Sequence, residues 1–314
     1  MSPSQPPRLV ALGDLLLDVV ITPERPIERG TDVPGRLDFR RGGSAATTAA
    51  GFARLGGRAS LITSLGDDVW ASWLLASLRA EGVEVHAVRR PGASGRLAAL
   101  IDEHGERSFV TERGVADALA AEQVERGWIR GRDALHVPAY SLFGEPIRSA
   151  AIYAAELARQ DDVLVSTDLS SAGPLLAYGV RKTRARLAEL GPDVLLANRA
   201  EAAALLRQTG RRAWPRLLAQ APLVVVKDGV WGCRVLWDEG GATRQLDVAT
   251  TRIGRKVDTT GAGDAFAAGF LFSLLGAGGR AATDRDQALR KAAMAGHRAA
   301  GDALRRGRPE LELG

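Results

Sequence analysis

Apolar runs of strand length alternate with segments of helical composition along most of the chain, and this alternation restricts the fold more than any other feature. The runs at 9–21, 163–169 and 223–229 are rich in valine and leucine, while small helix-compatible residues follow Ser44 and Gly263. Strands that alternate with helices of about 10–15 residues build βαβ units with right-handed crossovers. The sequence therefore predicts an α/β fold with a mostly parallel central sheet.

Two segments interrupt the alternation. Residues 22–41 are polar and rich in proline and glycine, and they end in a short run of alternating polar and apolar residues. Residues 94–113 form two alternating runs around Glu103–Glu106, a pattern typical of a β-hairpin. We predict that both segments form a small antiparallel flap outside the main sheet. Because no repeat or flexible linker divides the chain, we expect residues 1–314 to form one domain.

Composition excludes several classes of function. The chain has a formal net charge of +5, but its basic residues are spread out, with neither zinc-finger spacing nor an aromatic-plus-basic RNA signature, so we predict no nucleic-acid partner. No run of about 18 apolar residues occurs, which predicts no membrane span. Because the first residues lack a signal-peptide pattern and the single cysteine, Cys233, has no internal partner, we expect a cytoplasmic location.

The segment with the clearest chemistry is DTTGAGDAFAAGF, residues 258–270. Glycines that precede a small-residue helix let backbone N–H groups converge on an anion, and the helix dipole adds favourable charge. Asp264 falls in the first turn of that helix, where its carboxylate could accept a proton from a substrate hydroxyl. A helix cap is the alternative role for such an acid. The segment matches neither the Walker A pattern nor the dinucleotide fingerprint.

This segment resembles the C-terminal signature of the ribokinase/PfkB family of carbohydrate and nucleoside kinases. Five further motifs occur in the family's order: Gly42–Gly56, Gly66–Asp68, Asp102–Arg107, Asn198–Glu201 and Gly229–Gly232. The resemblance covers nearly the whole chain. It implies a ribokinase-like three-layer α/β/α sandwich with a mostly parallel central sheet and a small β-sheet lid formed by residues 22–41 and 94–113. It also implies a kinase that uses ATP and Mg²⁺.

The resemblance assigns roles residue by residue. Asp264 would be the general base, and the backbone of Gly261, Ala262 and Gly263 would form the anion hole. The nucleotide would be bound by Asn198, Glu201, Lys227, Gly229 and Gly232, with Glu201 reaching Mg²⁺ through water. The acceptor would contact Asp18, Gly42, Gly43, Thr47 and Tyr140. Asp258 and Thr260 align with a monovalent-cation site, such as one for K⁺.

Four positions depart from the family pattern. Thr47 and Leu16 each stand where family members carry an asparagine, and Tyr140 stands where ribokinases carry the acid that contacts ribose. Lys227 replaces a threonine on the ATP side and could reach a phosphate. Because these departures surround the ligands while the segment at 258–264 is intact, we expect a working kinase whose acceptor is not plain ribose.

The leading hypothesis is a kinase that phosphorylates a primary hydroxyl of a sugar or sugar derivative. A nucleoside kinase is one alternative, based on the form of the first signature and on the aromatic Tyr140 and Phe143. A non-catalytic sugar or nucleotide sensor on the same fold is the other. Family analogy also suggests a homodimer through the lid, since an exposed sheet edge needs covering, although some relatives are monomers.

Overall fold

The computed structural model describes residues 5–104, 107–250, 259–276 and 284–306. The strands are β1 (Arg8–Leu12), β2 (Leu16–Pro23), β3 (Gly35–Gly42), β4 (Arg58–Leu65), β5 (Val83–Arg89), β6 (Arg96–Ile101), β7 (Arg107–Glu112), β8 (Ala134–Pro138), β9 (Leu164–Asp168), β10 (Val194–Asn198), β11 (Leu223–Lys227), β12 (Cys233–Glu239) and β13 (Ala242–Val248). The helices are α1 (Ser44–Arg54), α2 (Val69–Ala80), α3 (Arg126–Ile129), α4 (Ile147–Gln160), α5 (Ala172–Tyr178), α6 (Val180–Leu190), α7 (Arg199–Leu206), α8 (Ala262–Gly276) and α9 (Arg285–Arg306). Short 3-10 turns connect several of them.

The main sheet has nine strands in the order β13-β12-β11-β10-β9-β8-β1-β4-β5. All neighbours are parallel except at one edge, where β12 pairs antiparallel with both β11 and β13. Helices α1, α2, α8 and α9 pack on one face, and α3 to α7 pack on the other. Because both faces are covered, the inner strands are buried on both sides, which explains their continuous apolar runs. The predicted three-layer α/β/α sandwich is confirmed.

The second sheet is the lid, with four strands in the order β3-β2-β6-β7. The outer pairs, β2 with β3 and β6 with β7, are antiparallel, but the central pair β2 and β6 is parallel. The expected flap is therefore present, and the prediction that it is wholly antiparallel is wrong. A crossover through α1, β4, α2 and β5 joins the two hairpins, and a connection of that length allows parallel pairing.

Two predicted boundaries differ from the structure. The apolar run 9–21 is not one strand: β1 lies in the main sheet and β2 in the lid, so the lid begins at Leu16 rather than at residue 22. Continuous apolarity hid this break because both sheets bury their strands there. Between Ala172 and Leu190 the chain forms two helices, α5 and α6, which meet at Gly179 with a φ of 103°.

The carboxyl ends of five parallel strands meet under the lid. Asp14 follows β1, Tyr140 follows β8, and Asp168, Asn198 and Lys227 end β9, β10 and β11. Ligands of open α/β sheets bind at this edge. No helix among the described residues has the length and apolar composition needed to cross a bilayer.

Candidate active site

A cavity of 1840 Å³ occupies this edge and extends beneath the lid. It is lined by all the predicted site residues that the structure describes: Asp18, Gly42, Gly43, Thr47, Tyr140, Asn198, Glu201, Lys227, Gly229, Gly232, Thr260, Gly261, Ala262, Gly263 and Asp264. The fold therefore brings together residues from four of the six motifs, together with Asp18, Tyr140 and Lys227. Asp258 lies outside the described residues, so the monovalent-cation site stays a prediction.

Asp264 lies in the first turn of α8, directly after the glycine loop. Asp264 is partly buried, and burial, followed by repulsion from Asp168, raises its pKa well above the ordinary value. Lys227 and a hydrogen bond from Ser44, the first residue of α1, act in the opposite direction. A partly buried carboxylate with a raised pKa at a helix start has the properties of a general base.

The glycine loop presents backbone amides beside this carboxylate. Gly261 has a φ of 80°, a left-handed conformation that favours glycine. The Gly261 carbonyl accepts from the Ala265 N–H at 2.9 Å, and the Thr259 carbonyl accepts from the Ala262 N–H at 3.2 Å. The latter bond occupies one of the three amides predicted to form the anion hole. Anion binding there would require the Ala262 N–H to turn away from Thr259.

Lys227 and three carboxyl groups form a charged cluster next to the loop. The Lys227 Nζ donates to Asp168 Oδ2 at 2.5 Å, and a Cβ added at Gly263 would lie 3.2 Å from the same nitrogen. Burial, followed by the carboxylate of Asp168, raises the pKa of Glu201 to about 7. The ammonium of Lys227 thus lies between the acids and the glycine loop.

Asn198 and Glu201 cap the start of α7. The Asn198 side chain accepts from the Glu201 N–H at 2.9 Å, and Glu201 Oε2 accepts from the Asn198 N–H at 2.7 Å. This reciprocal pair is a capping box. The pair therefore starts a helix, and Glu201 is buried although an acid at a helix start is commonly solvated.

The glycines on the nucleotide side differ in what they do. Gly229 has a φ of 58°, and a Cβ there would point into open space. A Cβ on Gly232 would lie 2.0 Å from the Val248 carbonyl oxygen. Gly232 is therefore required by strand packing, while Gly229 leaves room at the cavity wall.

On the acceptor side, backbone and carboxylate approach each other closely. A Cβ added at Gly42 would lie 2.1 Å from Asp18 Oδ1, and one at Gly43 would lie 2.3 Å from the Asp14 carbonyl oxygen. Asp18 is 4% exposed and Asp14 is 2% exposed, and both line the cavity. Only residues without a Cβ fit at positions 42 and 43.

Several charged residues that line the cavity were not predicted as site residues, among them Asp14, Arg107, Arg113, Asp117 and Asp168. The position of Asp14 after Gly13, of Asp168 at the end of a strand and of Arg107 at the end of the motif Asp102–Arg107 were signals that could have identified them. Arg113 had no such signal, because its partner Asp14 lies 99 residues away in the sequence. Arg107 of the lid donates to the hydroxyl of Thr260 and, at 2.7 Å, to that of Thr259.

Comparison with known proteins assigns this site to a family. The sequence matches the family model described as pfkB family carbohydrate kinase over residues 6–307. It is 32% identical over 276 residues to an ATP-dependent ribose-1-phosphate kinase from Halopiger xanaduensis, covering 85% of each chain. It is 31% identical over 290 residues to a probable fructokinase-6, chloroplastic, from Arabidopsis thaliana, covering 87% of this chain and 71% of the relative.

Solved structures show the same fold. An adenosine kinase from Sinorhizobium meliloti superposes with a TM-score of 0.82 at 25% identity, covering 96% of this chain and 94% of that one. A ribokinase from Thermotoga maritima gives a TM-score of 0.75 at 20% identity, covering 98% and 93%. These matches confirm the resemblance, the ribokinase-like fold and the phosphotransferase class. The chain belongs to the pfkB family of carbohydrate kinases.

Proposed function

We propose that this protein transfers the γ-phosphoryl group of ATP to a primary hydroxyl of a sugar or sugar derivative. The observation that carries the proposal is the position of Asp264, a partly buried carboxylate that lines the cavity next to the glycine loop and interacts electrostatically with Lys227. Asp264 takes the proton of the attacking hydroxyl. The oxygen then bonds to the γ-phosphorus as the bond to the leaving ADP oxygen breaks.

The glycine loop supports this step electrostatically. The amides of Gly261 and Gly263 at the positive end of α8, joined by that of Ala262 once it turns from the Thr259 carbonyl, would face the charge that develops on the transferred group. The absent Cβ of Gly263 leaves space beside the Lys227 ammonium, which fits an anionic phosphoryl group. Phosphoryl transfer depends mainly on positioning and on such charge stabilisation, since the protein makes no covalent bond to the group.

The residues around Asn198 fit a nucleotide with its divalent ion. Glu201 offers carboxylate oxygens, which are the ligand atoms that Mg²⁺ prefers, and each oxygen can accept a further bond besides the one it accepts from Asn198. Bound Mg²⁺ would neutralise charge on the phosphates. Gly229 leaves the cavity wall open for the nucleotide, and Lys227 turns from Asp168 towards a phosphate.

A nucleoside acceptor is the second candidate. Leu16 and Leu97 from the lid side and Tyr140 and Phe143 from the opposite side line the acceptor part of the cavity. Such flat apolar walls would accommodate a base. The adenosine kinase whose fold this chain shares supports the same alternative.

The test is ATP consumption with Mg²⁺ across a panel of sugars and nucleosides, followed by the variant Asp264→Asn. We expect the variant to lose about 10²–10⁴ in kcat while it binds ATP nearly as before, because it removes only the proton acceptor. Asp286→Asn is the matched control, since Asp286 lies in the first turn of α9 and is exposed. If Asp264→Asn keeps a near-normal kcat, the role of Asp264 is wrong. If no panel member is phosphorylated, a sensor on the same fold is favoured.

A further inference from the structure

We infer that the acceptor site selects uncharged polyhydroxyl compounds and rejects phosphorylated or carboxylated ones, because Asp14 and Asp117 occupy its arginine, Arg113. The inference rests on the proposed function, since it concerns the acceptor of that reaction. The acceptor subsite is defined here as Asp14, Asp18, Arg113, Asp117 and Tyr140, all of which line the cavity.

Arg113 is the guanidinium of the acceptor subsite that an anionic substituent would contact, and three of its five N–H donors are directed at carboxylates. Its Nη1 donates to Asp14 Oδ2 at 3.0 Å, and its Nε and Nη2 donate to Asp117 Oδ1 at 3.0 and 2.7 Å. The side chain is 26% exposed. Burial lowers the pKa of Arg113, but the carboxylates of Asp14 and Asp117 outweigh burial and leave it raised. A phosphate that contacts Arg113 would therefore lie beside the carboxylates of Asp14 and Asp117, which would repel it.

Two other cations that line the cavity are engaged elsewhere. Arg107 donates to Thr259 and Thr260 of the glycine loop, and Lys227 is paired with Asp168. The residues that define the subsite comprise three carboxylates and one guanidinium. The buried Arg41 also interacts with Asp18, but it is itself hydrogen-bonded to Glu81, so carboxylates still outnumber guanidiniums there.

This charge has a calculable consequence. A single unfavourable charge pair about 6 Å apart at an effective dielectric constant of about 20 weakens binding by a factor of about 10². Hydroxyl groups experience no such penalty, and they can donate to Asp18 and Asp14. Burial raises the pKa of Tyr140 to about 12, so its phenol is neutral and can both donate and accept. The subsite is thus suited to hydroxyls and unsuited to anions.

The test compares binding and turnover of matched probes that differ by one phosphate: ribose with ribose 1-phosphate, fructose with fructose 6-phosphate, and adenosine with adenosine 3′-phosphate. Each phosphorylated member keeps a primary hydroxyl. Isothermal titration is expected to show that the neutral member of at least one pair binds, and binds about 10²-fold tighter than its phosphate. The variant Asp117→Asn, which frees part of Arg113, should reduce that ratio at least tenfold.

Asp161→Asn is the matched control, because it removes an equivalent two-bond pair with Arg126 on the surface. The inference is overturned if phosphorylated members bind as tightly as neutral ones, if no neutral member binds, or if Asp117→Asn changes the ratio no more than the control. Turnover separates the two claims: a neutral compound that binds selectively but is never phosphorylated contradicts the proposed function and leaves the selectivity intact.

Discussion

The pair formed by Lys227 and Asp168 makes a sharp prediction about stability. Lys227→Met removes the ammonium while it preserves much of the side chain's length and volume. The carboxylate of Asp168, whose side chain is 3% exposed, would then lack the partner that it holds at 2.5 Å. Glu201 and Asp264 add two more carboxyl groups nearby, as their common interaction with Asp168 and Lys227 shows. We therefore expect Lys227→Met to destabilise the fold strongly.

The magnitude follows from burial. Removing one partner of a buried ion pair costs about 3–5 kcal/mol. Unfolding entropy is about 2.1 cal/mol/K per residue, or about 0.66 kcal/mol/K for 314 residues, so the melting temperature should fall by about 5–8 °C. Burial lowers the pKa of Lys227, but the carboxylates outweigh it and leave the pKa raised. The ion pair is therefore fully formed at neutral pH, and its stabilisation is lost only as the pH rises through that raised pKa.

Scanning calorimetry at pH 7 measures the effect. The exposed Lys291 provides the control Lys291→Met, which should change the melting temperature by about 1 °C or less. Combining Lys227→Met with Asp168→Asn removes the carboxylate that has lost its partner, so the double variant should recover most of the decrease in melting temperature. This account of the cluster is refuted if Lys227→Met is as stable as Lys291→Met. It is also refuted if the double variant is no more stable than Lys227→Met alone.

Two further predictions concern catalysis. Gly42→Ala places a Cβ 2.1 Å from Asp18 Oδ1, and by displacing that carboxylate it should lower kcat/KM for the acceptor by about 10²-fold and leave the KM for ATP unchanged. The control is Gly127→Ala, because a Cβ at Gly127 meets open space. Equal kinetics in both variants would contradict the prediction. The roles proposed for Asp264 and Glu201 require their ionised forms, and burial raises the pKa of both, that of Glu201 to about 7. A pH profile of kcat/KM should therefore decline below about pH 7, and a plateau extending to pH 5 would show that neither group titrates as described.

Local sequence patterns predicted the site wherever a few consecutive residues make the chemistry. The glycine loop and Asp264 are adjacent in sequence, and Asn198 and Glu201 are one helical turn apart. Each motif carries its own geometry, because a loop before a helix or a capping box forms from neighbouring residues. The same holds for the main sheet, whose strands and helices alternate visibly.

Prediction failed where apolarity alone does not say which sheet a strand joins. The run 9–21 reads as one strand, yet Leu12 belongs to the main sheet and Leu16 to the lid, with Asp14 turned into the cavity between them. The lid was placed correctly but its central pairing was not, because register and direction between β2 and β6 depend on the long segment that separates them.

The sequence alone determined the fold class, the family and the catalytic segment, since short-range spacing and composition encode βαβ units and helix N-termini. Only the tertiary structure decided the charge of the acceptor subsite and the pairing of Lys227. Arg113 meets Asp14 across 99 residues of chain, and Lys227 meets Asp168 across 59. Electrostatic interactions depend on distance in space and on burial, and neither can be read from residues so far apart in sequence.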